Sequence, residues 1–338
     1  MDIKKLVKPN IRSLKAYKAK EIPCRVKLDA NESPYGFTVL KDIKTNRYPD
    51  PEALELRKLV AKGWKVKYGN TLHGNGSDEL IYYLINTFGG PVLYPVPTFS
   101  MYGIISQALN TKKIEVPLDK DFDLDLKEML RVMKAKKPKL IFLASPNNPT
   151  GNAFSVEKIE KIIKASKGIV VVDEAYQDYS AKRSFLPLFK KYKHLVTLRT
   201  LSKIGMAGLR TGFMIADPEV VDEVNKVRLP FNLNSLSQKV AVEGLQKKKE
   251  MSASIRSIIS ERKRLFKEMQ KMDGIYPCPS DSNFILFKTG NSDNIYKGLL
   301  KKKVLIRDMS GAIKDCLRVT VGTPTENSAF LKALKQLL

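Results

Sequence analysis

Short apolar runs alternate with amphipathic stretches along most of the chain, the order expected of an α/β protein. Val92 to Tyr94, residues 113–116, Leu140 to Ala144, the VVVD of VVVDEAY from Val170, and the run that opens at Leu195 are rich in β-branched and aliphatic residues. Such runs fill buried parallel strands. Apolar positions at Leu54, Leu56, Leu59 and Val60 after NRYPDP predict a helix opening behind a turn. HGNGSDELIYYLI at 73–85 reads as a loop feeding a second helix, and another ends near Lys136. Helical segments dominate from Pro218 on, with residues 235–272 long enough for two helices or a bent one. FILFK at 284–288, VLIRD at 304–308 and CLRVTVG at 316–322 then read as strands of a smaller layer, and a last helix follows Pro324.

This pattern predicts an α/β fold in two parts: a large domain over residues 31–235, with a mostly parallel central sheet flanked by helices, and a smaller α/β domain over 236–338 joined by residues 1–30. The 338 residues, 43% of them hydrophobic, are enough to give each part a core. Cys24, Cys278 and Cys316 lie far apart and form no C-x-x-C pair, which fits a reducing cytoplasm and argues against a cysteine-ligated metal. Met1 to Asn10 lacks the apolar region of a signal peptide, and no run approaches the roughly 20 apolar residues of a membrane span. The expected location is cytoplasmic, with no membrane partner. A formal net charge of +25 raises nucleic acid as a partner. The basic residues argue against it, being scattered along helical faces as in QKKKE at 246–250 and LKKKV at 300–304 rather than set among stacking aromatics.

Candidate chemistry gathers where strands end. In an open α/β sheet, ligands bind beyond the carboxyl ends of the strands. Asp173 and Lys203 both fall there, with Thr200 and Ser202 beside the lysine and Arg210 seven residues on. A lysine taken alone is ordinarily a surface residue. In this company it suits pyridoxal 5'-phosphate: only lysine offers a primary amine to the aldehyde, and a carboxylate keeps the pyridine nitrogen protonated. The phosphate needs a guanidinium, hydroxyls and free N–H groups. Arg210 and Ser202 supply the first two. Glycines 74 and 76 let backbone approach a ligand, Ser77 or Asp78 can cap the helix, and their N–H groups can face the phosphate.

Other positions admit two readings. Phe99 in PTFSMY can stack on the pyridine ring, or Phe99 and Tyr102 can be core residues at helical spacing. SPNNPTG at 145–151 can be only a turn, yet an amide held stiffly there, or the Tyr176 hydroxyl, can bond the cofactor's phenolic oxygen. Arg307 and Arg318 lie in or at the ends of apolar strands, where each needs an anion: a substrate carboxylate or phosphate, or an internal salt bridge.

LDANESPYG, NRYPDP, GNGSDE, PTFSMY, SPNNPTG, VVDEAY, RTLSK, GLRTGF, LIRD and CLRVTVG follow one another over nearly the whole chain. In this order the set resembles the fold type I pyridoxal-phosphate aminotransferases and, within them, the histidinol-phosphate aminotransferase family. The resemblance implies that Lys203 condenses with the cofactor aldehyde and Asp173 partners the pyridinium nitrogen. Tyr176 and Asn148 would hold the ring oxygen and Phe99 would stack on the ring. Ser77, Asp78, Thr200, Ser202 and Arg210 would surround the phosphate, joined by Tyr48 from the second subunit of a homodimer. Arg307 and Arg318, with Asn148, Tyr17 and Asn31, would bind substrate.

The segment from Lys203 to Arg210 is one residue shorter than is usual in that family, so Arg210 must arrive through a tighter turn, loosened by Gly205 and Gly208. The implied activity is a ping-pong exchange between glutamate and 2-oxoglutarate on one side and imidazole-acetol phosphate and histidinol phosphate on the other. Aromatic-amino-acid aminotransferases and threonine-phosphate decarboxylases of the same fold would keep the cofactor residues and differ in the substrate pocket. Transcription regulators carrying this fold would need a DNA-binding module, for which about 30 residues before Asn31 are too few at ordinary domain sizes.

Overall fold

A computed structural model describes residues 25–28, 31 and 49–338, so Tyr17, Tyr48 and most of the LDANESPYG loop lie outside the described residues. A short strand, β1 (Val26–Lys27), precedes the main sheet. That sheet has seven strands: β2 (Thr71–Asn75), β3 (Val92–Val96), β4 (Lys113–Pro117), β5 (Leu140–Ala144), β6 (Ile169–Asp173), β7 (Leu195–Thr200) and β8 (Thr211–Ile215), in the order β2-β8-β7-β6-β5-β3-β4. From β7 to β4 every pairing is parallel, while β8 runs antiparallel to both neighbours.

Alternation along β5 explains why its sequence is apolar throughout. Leu140, Phe142 and Ala144 join one core with Leu80, Ile81 and Leu84 of the helix Ser77–Phe88. Ile141 and Leu143 join another with Met129, Val132, Ile159 and Ile163 from the helices Leu126–Lys136 and Val156–Ala165. Helices thus cover both faces, and a strand buried on both sides has no polar register to show. A third core sets Phe213 and Ile215 of β8 against Leu56 and Val60 of the helix Leu54–Gly63.

The C-terminal part completes strands β9 (Tyr276–Pro277), β10 (Phe284–Lys288), β11 (Val304–Leu305), β12 (Arg307–Asp308) and β13 (Cys316–Thr320). β12-β13-β10-β9 form an antiparallel sheet, and β11 pairs in parallel with β1. Their core includes Val26, Leu28, Ile258, Leu265, Phe287, Leu317 and Phe330.

Two expectations needed adjustment, and a third, left open between two helices and a bent one, is resolved. His73, Gly74 and Asn75 belong to edge strand β2 rather than to a loop, because Gly74 lies opposite Gly212 of β8 and the ladder continues through it. VLIRD is not one strand: it breaks after Leu305, its first half going to β1 and Arg307 to β13. The 235–272 stretch is two helices, Ser235–Gln246 and Lys248–Gln270, parted at Lys247 by a non-helical ψ of 48°. Among the described residues, no helix is long and apolar enough to cross a membrane.

Candidate active site

Asp173 is the last residue of β6, and Lys203 follows the end of β7 by three residues. β6 and β7 are parallel neighbours with Asp173 opposite Leu198, so their carboxyl ends lie side by side. Both side chains open onto one cavity of about 180 Å³. The Asp173 carboxylate is buried, and each of its oxygens has one donor: the Ala175 N–H at 3.1 Å on Oδ1 and the Tyr102 hydroxyl at 2.8 Å on Oδ2. Burial pushes its pKa up to about 6, against the pull of those two bonds. The Lys203 amine lies 5.7 Å from the centre of the Tyr176 ring, and the Tyr179 hydroxyl donates to the Lys203 carbonyl, fixing the backbone that carries it.

The anion end is built from β7, β8 and the helix that starts at Ser77. Neither Ser77 nor Asp78 caps that helix. The N-cap is Gly76, with φ of 84° and no side chain to bond the first turn, and Ser77 and Asp78 are the first two helical residues. Their N–H groups are among the four that an α-helix leaves without an internal partner, a ready site for phosphate. Arg210 arrives in the left-handed region (φ 49°) after a wide turn over Ser202–Met206 in which Gly205 has φ of 100°. Its Nη1 donates to Ser202 Oγ at 3.4 Å and its Nη2 to Asp78 Oδ2 at 3.1 Å. The Thr200 hydroxyl donates to Ser202 Oγ at 2.9 Å. A Cβ on Gly76 would lie 2.6 Å from Arg210 Nη2, so the close approach needs glycine there. Helix N–H groups, two hydroxyls and a guanidinium at one end, with an amine and a buried carboxylate beyond, fit pyridoxal phosphate.

On the remaining wall stand Phe99, Asn148, Asn31, Arg307 and Arg318. Arg318 of β13 donates to Asn148 Oδ1 and lies 5.0 Å from the centre of the Phe284 ring. That partner is an amide on the loop after β5. Asn147 turns the other way: it is buried, with Nδ2 donating to the Pro97 carbonyl at 3.0 Å and Thr150 Oγ1 at 2.8 Å, and so holds the loop that presents Asn148. Asn31 joins the two parts of the chain, donating to the Tyr176 hydroxyl at 3.3 Å and accepting from Thr320 Oγ1 at 2.9 Å.

The cavity therefore gathers every expected site residue that lies within the described ones. It adds Tyr102, whose three-residue spacing from Phe99 fits the core reading equally well; Tyr102 is buried, but its hydroxyl ends at the site.

An amine, a buried carboxylate and an anion cradle at the carboxyl edge of a mostly parallel sheet define a pyridoxal-phosphate-dependent enzyme of fold type I. The sequence pattern described as aminotransferase class I and II matches residues 15–334. Histidinol-phosphate aminotransferase of Aquifex aeolicus is 44% identical, over 98% of this chain and 98% of the relative. That of Parabacteroides distasonis is 40% identical over 99% of each. Among solved structures, a histidinol-phosphate aminotransferase from Sinorhizobium meliloti in complex with pyridoxal-5'-phosphate superposes with a TM-score of 0.86 at 22% identity, covering 98% of this chain and 97% of the other. The chain belongs to the class I and II aminotransferase family and, within it, to the histidinol-phosphate aminotransferases.

Proposed function

We propose that the chain moves an amino group between glutamate and imidazole-acetol phosphate, yielding 2-oxoglutarate and histidinol phosphate, as a cytoplasmic homodimer serving histidine biosynthesis. The observation that carries this reading is the meeting of Arg307, Arg318 and Asn148 with Lys203 and Asp173 in one cavity. An anionic substrate gripped by guanidinium groups is thereby brought to the amine. Bound pyridoxal phosphate supplies an aldehyde that takes up the amino group and a ring that accepts the electron pair of the substrate α-carbon.

Lys203 would hold the cofactor through its amine and, when that amine is free, would serve as the base that moves the proton of the substrate α-carbon. Asp173 keeps the ring nitrogen protonated. Asn148 and Tyr176 would hold the ring oxygen, and Phe99 would lie against the ring. Ser77, Asp78, Thr200, Ser202 and Arg210 grip the phosphate, with Tyr48 of the partner subunit. Arg318 and Arg307, helped by Tyr17 and Asn31, accept either glutamate's carboxylate or the phosphate of the other substrate, because a guanidinium fork fits both oxyanions. Exposed Leu229, Phe231 and Leu236 support a second copy, being apolar surface that it would cover. Residues 31–235 form the cofactor-binding domain in this scheme, and 236–338 with 1–30 the smaller one.

The test is a single half-reaction followed by the visible band of the bound cofactor, with histidinol phosphate, glutamate, phenylalanine and threonine phosphate added in turn. Loss of the band with histidinol phosphate and glutamate alone is the expected result. A preference for phenylalanine would move the chain to the aromatic aminotransferases, and carbon dioxide released from threonine phosphate would move it to the decarboxylases.

A further inference from the structure

Tyr102 sits in the first turn of the helix Met101–Ala108, wholly buried. Its ring stacks on Phe142 of β5, with centroids 4.8 Å apart and planes 14° from parallel, and Phe99 meets it edge-on at 5.6 Å. These contacts hold the ring in place, and the only polar atom of the side chain ends 2.8 Å from Asp173 Oδ2. With the Ala175 N–H on Oδ1, the carboxylate has a donor on each oxygen and one lone pair left on each.

We propose that Tyr102 is a positioning residue for the cofactor: its hydroxyl holds Asp173 ionised and fixed in rotation, so that the free lone pairs meet the pyridine nitrogen. The proposal rests on the pyridoxal-phosphate assignment of the cavity. Asp173 needs such help. Burial favours its neutral form, and the nearby acids Asp78 and Glu174 add to that; the hydroxyl and the Ala175 N–H oppose it. Tyr176, Lys203, Arg210, Arg307 and Arg318 are the other titratable or charged groups facing the same cavity. Tyr102 serves as a donor throughout, since burial and the Asp173 charge push its own pKa well above the usual phenol value. Were the ring merely filling space, phenylalanine would do as well.

Tyr102→Phe keeps the ring, its volume and its stacking. In the full-length protein, the apo form is expected to melt close to wild type. The dissociation constant for pyridoxal phosphate should rise about ten- to a hundredfold, the range for one hydrogen bond to a charged group. The pH midpoint of the bound cofactor's visible band should move up by about a unit. It rises because a ring nitrogen that has lost its proton no longer repels the proton on the lysine nitrogen.

Phe142→Leu removes the stacking partner and leaves the hydroxyl, so it should lower the melting temperature while leaving the midpoint in place. Asp173→Asn should weaken cofactor binding by itself, and adding Tyr102→Phe to it should change little further. A Tyr102→Phe protein with wild-type affinity and midpoint, beside an impaired Asp173→Asn, overturns the proposal and spares the cofactor assignment. A midpoint that moves equally in Phe142→Leu also overturns it. A wild-type protein that takes up no pyridoxal phosphate overturns both.

Discussion

Replacing Gly212 with alanine probes how the phosphate cradle is built. Gly212 lies in β8 between Gly74 of β2 and Thr200 of β7, directly beneath the start of the Ser77–Phe88 helix. A Cβ there would stand 2.5 Å from the Ser77 nitrogen, 2.6 Å from the Gly76 carbonyl carbon and 2.9 Å from its oxygen. All three are backbone atoms, so no side chain can swing aside. Comfortable contact needs roughly 3.5 Å, so the helix start must lift by about 1 Å. Overpacking of this kind costs about 1–3 kcal/mol of stability. The atom displaced is a proposed phosphate donor, and a shift of about 1 Å takes a hydrogen bond of normal length beyond its useful range. Losing one bond to a charged group adds about 1.5–3 kcal/mol, or roughly ten- to a hundredfold in cofactor affinity. Urea denaturation of the apo protein reads the first quantity, and equilibrium dialysis of pyridoxal phosphate the second. Gly208→Ala is the control, since nothing lies within 4 Å of a Cβ at that position. A Gly212→Ala protein that matches Gly208→Ala in both measurements would refute the reasoning. Lost stability with unchanged affinity would remove the helix start from the phosphate site alone.

Two further outcomes follow from buried charge. Burial, reinforced by Arg228 and Arg57, lowers the His73 pKa from 6.5 to about 3. The unfolded chain therefore takes up this proton first: the stability it contributes is full above about pH 6.5 and is lost as the pH falls towards 3, by at most about 1.4 kcal/mol per unit. Urea midpoints at pH 7, 5 and 4 should fall more steeply for wild type than for His73→Gln, and equal slopes would refute the assignment. Glu174 is fully buried, paired with Arg199 at 2.7 Å and accepting from Ser184 Oγ at 2.7 Å and the Phe185 N–H at 2.6 Å. Among the described residues, Glu174→Gln leaves Arg199 with the Ser184 hydroxyl at 3.1 Å and, as a carboxylate, Asp178 at 3.9 Å, which puts the loss near the lower end of the range for a broken buried pair, about 3 kcal/mol. A loss below about 1 kcal/mol by urea denaturation would mean that the pair is solvated after all.

What the sequence made legible was chemistry fixed by residue type and order. Asp173 and Lys203 could be placed because an apolar run that turns polar marks a strand's carboxyl end, and parallel neighbours deliver their ends to one edge. What it hid were contacts set by how closely segments pass. Gly74 and Gly76 on either side of a polar asparagine made His73–Asn75 read as a loop, yet Gly74 and Gly212 face each other in a ladder, where a side chain on either would strike its neighbours. Asn147 and Asn148 are indistinguishable as letters; only the fold turns one into the loop and the other onto Arg318. Tyr102 is the sharpest case, because its spacing from Phe99 is as good a signal of core as of site. The structure removes that choice rather than deciding it: the ring is core to Phe142 while the hydroxyl, one bond further out, is a ligand of Asp173. A buried aromatic with a polar tip can therefore serve the packing of the sheet with its ring and the charge state of the site with its hydroxyl, a division that no hydrophobicity pattern can register because both roles belong to one residue.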